Sequence, residues 1–175
     1  MEAPNGFKEI SPYELENAMK LIGKDWMLIT AKDEKNGRVN AMTASWGALG
    51  VLWNKCICIC FIRPQRHTFS LVEELGNGEL SFAFLGDEYR SALALCGRES
   101  GRDGDKLKKA GLSTFDLGET PCIAEANLLL ICKKLYADDI KEDKFIDKTL
   151  LSNYALGDYH RAYICEIKKA YLKNE

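Results

Sequence analysis

Asn40-Ala41-Met42-Thr43-Ala44-Ser45-Trp46 packs two hydroxyls, an amide and an indole into seven residues, at the end of a strand that starts near Val39. On an extended chain Thr43 and Ser45 share a parity, so their hydroxyls lie on one side and Trp46 on the other. Two hydroxyl donors beside a strand end, where backbone N–H groups turn outward, suit an anion. The same Thr-x-Ser pattern also describes an ordinary solvent-facing strand edge. Only the rest of the chain separates the two readings.

Working outward, Trp26 to Ala31 reads as a strand, and the polar turn Lys32 to Gly37 joins it to the Val39 strand as a hairpin. Before them, Ser11 as N-cap, Pro12 at the first helical position and Glu14 closing a capping box predict a helix over Ser11 to Ile22, stopped by Gly23. Cys56 to Ile62 is a third strand, bounded by Trp53-Asn54-Lys55 and by Arg63-Pro64. A helix over Thr68 to Leu75, a strand over Leu80 to Leu85 and a helix over Asp87 to Cys96 follow, with Gly76 and Gly97 as stops. The polar loop Arg98 to Asp105 leads into a compact helical segment, Lys106 to Ala110. Ile123 to Leu135 and His160 to Leu172 read as mostly strand, with a short helix at Phe145 to Tyr154 between them. Six or more strands with short helices among them predict a mainly β antiparallel barrel or sandwich. A doubly wound parallel sheet fits less well, because helices do not alternate strictly with strands.

The 175 residues suit one domain spanning 1–175. Hydrophobic residues make up 46% and charged residues 29%, and the net charge of −2 gives no general attraction to nucleic acid or anionic membranes. No stretch approaches the roughly 18 apolar residues of a spanning helix. Met1 to Gly6 is neither basic nor followed by an apolar run, so a cytoplasmic protein is expected. Seven cysteines, an odd number spread through apolar segments, read as reduced thiols. Cys56, Cys58 and Cys60 alternate with Ile57 and Ile59, so they form a ladder on one strand face rather than a chelate, and no metal site is expected.

A second constellation is Arg63-Pro64-Gln65-Arg66-His67-Thr68, which sets two guanidinium groups and a hydroxyl at a helix start, where the macrodipole also favours an anion. The competing reading pairs Arg63 and Arg66 with Glu73 and Glu74. Lys106, after Ser100-Gly101-Arg102-Asp103-Gly104-Asp105, is a third cation candidate.

With these segments in this order, joined by Phe82-Ala83-Phe84-Leu85, Cys96-Gly97-Arg98-Glu99-Ser100-Gly101 and Gly157-Asp158-Tyr159-His160, the sequence resembles the flavin reductase-like, FMN-binding split-barrel family, and within it the flavoredoxin-like branch. The resemblance implies a six-stranded antiparallel Greek-key barrel with short peripheral helices, a homodimer, and FMN in a groove near the subunit boundary. It implies that Asn40, Met42, Thr43, Ala44, Ser45 and Trp46 line the isoalloxazine and ribityl chain. Ser45, Arg63, Arg66, Thr68 and Lys106 would surround the phosphate, with Ser100 and Gly101 also at the cofactor. His160 resembles the histidine near the nicotinamide side of the flavin and is the catalytic candidate. The chain departs from the pattern at Phe84-Leu85, where many relatives place a polar Val-Asn. The implied activity is hydride transfer from NADH or NADPH to flavin and electron transfer onward, to a small acceptor or an acceptor protein. A non-enzymatic FMN-binding electron carrier or flavin store is the alternative from another class. A thiol or metal redox protein built on Cys56, Cys58 and Cys60 is the third.

Overall fold

Ten strands form in the computed structural model, which describes residues 3–174. They are β1 (Phe7–Ile10), β2 (Met27–Lys32), β3 (Val39–Ala44), β4 (Gly47–Leu52), β5 (Lys55–Ile62), β6 (Glu79–Phe84), β7 (Thr114–Leu117), β8 (Thr120–Ile123), β9 (Leu128–Asp139) and β10 (Arg161–Lys173). The helices are α1 (Ala18–Lys20), α2 (His67–Glu74), α3 (Arg90–Arg98) and α4 (Lys106–Lys109). The main sheet runs β3-β2-β6-β9-β10-β5-β4, with β1 added on β10, and β7 pairs separately with β8. Every pairing is antiparallel.

β3 and β4 lie at opposite ends of that hydrogen-bonded path, yet only Ser45 and Trp46 separate them in the chain. The covalent chain therefore joins the two ends of the sheet and makes it a barrel, split where no ladder connects β3 to β4. Alternation then fills the interior. Met27, Ile29 and Ala31 of β2 point inward with Met42, Cys60, Phe82, Leu130 and Tyr163 of the other walls. Leu28 of the same strand points outward, into a second cluster with Ala83, Leu93, Leu107 and Leu129, where α3, α4 and β8 cover the sheet. The sheet carries apolar side chains on both faces because both are covered, and a one-residue slip would exchange the two sets.

The thiol ladder is one wall of this interior. Cys58 and Cys60 are fully buried and face Cys132 and Cys165 in the barrel cluster, while Cys56 packs at its margin. Burial pushes the Cys58 and Cys132 thiols well up; Cys60 is raised by its hydrogen bond with Cys165 and by burial. Among the described residues no group of His, Cys, Asp and Glu is arranged to hold a metal ion. No helix among them is long and apolar enough to cross a membrane.

Several local expectations are corrected. The helix expected over Ser11 to Ile22 is two pieces. The capping box forms, with Glu14 Oε2 accepting from the Ser11 N–H at 2.7 Å, but it closes only a 3-10 turn over Pro12–Glu14. The chain is extended at Leu15, which packs against the barrel core, and left-handed at Asn17, a residue type that tolerates that region. It then turns again through α1 and on past Gly23 to Asp25. The span Ile123 to Leu135 is broken, because the last residue of β8 and the start of β9 flank a turn. Phe145 is not helical; two 3-10 turns, Glu142–Lys144 and Lys148–Tyr154, take that place. β1, β4, β7 and all of β8 but its last residue were not expected: β1, β7 and β8 are only four residues long, and β4 carries Gly47 and Gly50.

Gly47 turns the corner of the split. A Cβ there would lie 2.6 Å from the Ile59 carbonyl oxygen and 3.0 Å from Met27 Cε, whereas one at Gly50 meets nothing within 4 Å. Gly47→Ala is therefore expected to destabilise the fold by roughly 1–3 kcal/mol, and Gly50→Ala by no more than about 0.5 kcal/mol. Urea unfolding of the two variants beside the parent checks the difference.

Candidate functional site

The split opens on a cleft of about 250 Å³, lined by Met42, Thr43, Ser45, Trp46, Phe61, Arg63, Arg66 and His160. The end of β3, the bend after it, the end of β5 and the residue before β10 converge here because Arg161 pairs with Ile62 across the β10–β5 ladder. Met42 and Ala44 put their side chains into the barrel. Thr43 donates its hydroxyl to the Leu93 carbonyl at 2.6 Å, which ties β3 to α3. Ser45 follows the end of β3 at Ala44 and lines the cleft together with Thr43 and Trp46. The Trp46 indole is half exposed and packs 5.1 Å from the His160 ring.

His160 is buried, and its Nδ1 lies 3.0 Å from the Tyr154 hydroxyl, leaving Nε2 as the free ring nitrogen. Burial, helped by the nearby Arg63 cation, pushes its pKa down to about 4, so the imidazole is neutral at neutral pH. Arg63 forms an ion pair with Asp158 and donates to the Asn153 carbonyl at 3.0 Å, while Gln65 donates to the same Asp158 carboxylate at 2.8 Å. Its guanidinium braces the loop ahead of β10, and it also lies 5.2 Å from the Tyr154 ring centre.

Arg66 carries the cleft into a second, smaller hollow of about 120 Å³, whose wall includes Thr68, Ser100, Gly101 and Lys106. Lys106 is only 5% exposed, and no carboxylate among the described residues pairs with it. Its Nζ donates to the Cys96 carbonyl at 3.2 Å and the Glu99 carbonyl at 3.1 Å, and Arg66 donates to Cys96 at 3.3 Å. The last turn of α3 thus offers its negative end to both cations. Burial lowers both, Lys106 to about 8. The Glu99 carboxylate also lines the hollow and favours the charged Lys106 at a distance, but it pairs with Lys109, so the ammonium's own hydrogen bonds go to carbonyls and an anion in the hollow would complete them. Asn40 donates to the Thr68 hydroxyl at 2.8 Å, and a Cβ on Gly101 would come within 2.1 Å of Asn40 Oδ1. His67 Nδ1 is buried there with no hydrogen-bond partner.

The structure thus divides the residues singled out in the sequence. Met42, Thr43, Ala44, Ser45, Trp46, Arg63 and His160 border the cleft; Thr68, Ser100, Gly101 and Lys106 border the hollow; Arg66 borders both, and Asn40 braces Thr68. Neither Glu73 nor Glu74 pairs with the two arginines: Glu73 takes Arg161 and the Tyr163 hydroxyl, and Glu74 takes Lys35. Phe84 and Leu85 are buried among apolar neighbours. Tyr154, Asp158 and Phe61 were not assigned roles from the sequence. Only the tertiary fold brings them to His160 and Arg63, and no local spacing marks them.

The family model described as the flavin reductase like domain matches residues 19–175. No curated protein matches the chain. Among solved structures, the chain is similar to an FMN-binding domain of flavin reductases-like enzyme from Shewanella baltica, with 18% identity, TM-score 0.68, 98% of this chain and 80% of that one covered. It is similar to the flavoredoxin of Methanosarcina acetivorans, with 21% identity, TM-score 0.64 and 86% and 69% covered. Nitrilotriacetate monooxygenase component B of Bacillus cereus gives 16% identity, TM-score 0.66 and 94% and 81% covered. At these identities the structural likeness bears on the fold, the split barrel.

The depressed pKa of His160 has a measurable sign. Protonation disfavours the folded state, so the contribution of this residue to stability is complete above pH 6.5, the ordinary histidine value, and falls as pH drops toward 4. An NMR titration should show one imidazole titrating near pH 4, absent in His160→Gln, and the acid-side loss of stability between pH 6.5 and 4 should shrink in that variant. A His160 midpoint near 6.5 contradicts the buried, neutral assignment.

Proposed function

The chain belongs to the flavin reductase like domain family, and from that membership we propose that it holds FMN and works as an NAD(P)H-dependent flavin reductase or flavoredoxin-like oxidoreductase. The observation that carries the reading is the continuity of two unlike spaces through Arg66. One is an aromatic-lined cleft, the other a hollow where buried Lys106 and half-buried Arg66 have no carboxylate within ion-pair distance among the described residues. A flavin ring needs the first and its phosphate the second. Bound FMN supplies the two-electron redox chemistry.

The chain's own residues then have distinct tasks. Lys106, Arg66 and the Thr68 hydroxyl hold the phosphate, and Gly101 lets the backbone approach without displacing Asn40. Trp46 and Phe61 wall the ring. Neutral His160, fixed through Nδ1 by Tyr154, presents Nε2 as an uncharged hydrogen-bonding group at the face where a nicotinamide would lie. Arg63 contributes as the brace on Asp158. The seven free thiols fit a reducing cytoplasm.

FMN retention tests the phosphate assignment. Replacing Arg66 or Lys106, as Arg66→Ala or Lys106→Met, removes a charge-assisted contact of roughly 1.5–3 kcal/mol, about a ten- to hundredfold loss of FMN affinity. Riboflavin, which lacks the phosphate, should bind parent and variants alike. Equal losses for both ligands would place the phosphate elsewhere. Anaerobic addition of NADH or NADPH to the yellow protein should bleach its flavin band; a band that persists favours the carrier or store.

The homodimer is part of the same proposal. β4 ends the sheet, and beside it Val51, Trp53 and Tyr136 are each at least half exposed, next to a mainly apolar recess that also includes Trp46 and Phe61. An unpaired, apolar edge of this kind is what a second copy covers. Light scattering should give twice the chain mass, and the mass of one chain for Val51→Glu/Trp53→Glu.

A further inference from the structure

The apolar recess beside the cleft, about 630 Å³, opens onto it, because Ser45, Trp46 and Phe61 line both spaces. Its remaining walls are apolar, among them Met19, Ile22, Leu49 and Ile140. Among the described residues no charged side chain lines it. That sets it apart from the cleft, which carries Arg63 and Arg66, and from the largest groove, about 760 Å³, which carries Arg38, Arg102 and Lys108. Val51, Trp53 and Tyr136 are not among its walls, so a second copy seated on them is a neighbour of the recess rather than its occupant.

His160 stands at the junction of the two spaces. Its ring centre lies 5.1 Å from that of Trp46 and 6.4 Å from that of Phe61, the two aromatics that the cleft and the recess share. Burial keeps the imidazole neutral at neutral pH. With the Tyr154 hydroxyl donating to Nδ1, the one ring proton sits on Nε2 and makes that nitrogen a donor.

We propose that the recess is the electron-acceptor subsite and that the acceptor it takes is an uncharged, apolar quinone. The proposal rests on the flavin reading above and names the acceptor which that reading leaves open. An acceptor bearing phosphate, carboxylate or the charge of a metal chelate would enter the recess without a counter-charge, and desolvating an unpaired ion is costly. A flat conjugated ring instead gains offset or edge-on contacts with Trp46 and Phe61. The volume lies within the roughly 300–1,000 Å³ of small-molecule sites. Among the described residues no carboxyl or phenol lines either space, so no acidic side chain stands ready to protonate a carbon atom. A quinone needs none, since both of its added hydrogens end on oxygen, and Nε2–H of His160 can donate to the oxygen on which charge develops. The balance is quinone plus NADH or NADPH plus one proton from water, giving hydroquinone and the oxidised nicotinamide. Both C=O bonds become C–OH, and the flavin begins and ends oxidised.

The test titrates the full chain, loaded with oxidised FMN, calorimetrically with menadione and with a naphthoquinone sulfonate as the charged counterpart. Menadione should bind, and the sulfonate about tenfold or more weakly. Ala48 is exposed, lines the recess and lies outside the cleft and the hollow, so Ala48→Glu and Ala48→Lys place a charge there while FMN affinity stays within about twofold. Both substitutions should weaken menadione, and only Ala48→Lys should bring the sulfonate to within about threefold of it. A disturbance of fold or assembly would move the two variants together, so the sign of the charge is what separates them. Added anaerobically to protein bleached by NADH, menadione should restore the flavin band at a rate that saturates near its dissociation constant. Absence of menadione binding, equal affinity for the sulfonate, or a rate that climbs linearly with menadione overturns the inference and leaves the FMN reading intact. Binding that appears only in Val51→Glu/Trp53→Glu also overturns it and gives the recess to the second copy. A chain that binds no FMN overturns both readings together.

Discussion

The fold depends on one covalent constraint: two residues, Ser45 and Trp46, span the distance between the opposite ends of a seven-strand path. Hydrogen bonds hold β3 to β2 and β4 to β5, but nothing in the ladder holds β3 to β4. The barrel is consequently closed by chain continuity at one seam, and the backbone there is free of ladder duties. A seam of this kind is where a barrel can admit a ligand without unzipping. The aromatic cleft occupies it, and Gly47 is needed at its edge because the Ile59 carbonyl leaves no space for a Cβ.

Around the seam, electrostatics is organised by elements that come from far apart in the sequence. The start of α2, the end of α3 and the start of α4 meet at Arg66, Cys96 and Lys106. Asp158 holds Arg63 away from that cluster, on the His160 side. Two arginines three residues apart therefore serve different ends: one braces a loop, the other faces the anion hollow. A charge count of the local segment would not have separated them.

Alternation made much of the barrel legible. The hairpin of β2 and β3, the thiol strand β5, the β6 strand and the last long strand all follow from apolar spacing and turn residues. The order of the segments, more than any one of them, carried the family resemblance. What was not legible has physical causes. The capping box at Ser11 and Glu14 is correct chemistry, but it satisfies one turn only, and the pull of Leu15 onto the core overrides helix propagation. β4 has two glycines and a half-exposed pattern, so nothing in its composition announces a strand; it exists because β5 offers it a ladder. Within the site, the parity argument for Thr43 and Ser45 did not foresee that the Leu93 carbonyl takes the Thr43 hydroxyl, because α3 comes to β3 only in the tertiary fold. The Tyr154 to His160 contact and the pairing of Arg63 with Asp158 arise only when the 3-10 turn before β10 folds back on the barrel mouth.

An ammonium group has three hydrogens, and in Lys106 two of them are already committed, to Cys96 and Glu99. That leaves a single direction for the third. A lysine on a free surface samples many rotamers and loses up to about 2 kcal/mol of side-chain entropy when a ligand fixes it. Here the fold has fixed it in advance, so a ligand meets a donor of set aim rather than a mobile charge. The last turn of α3 is thus a mounting as well as a counter-charge: its carbonyls give a flexible side chain the directional character usually associated with arginine.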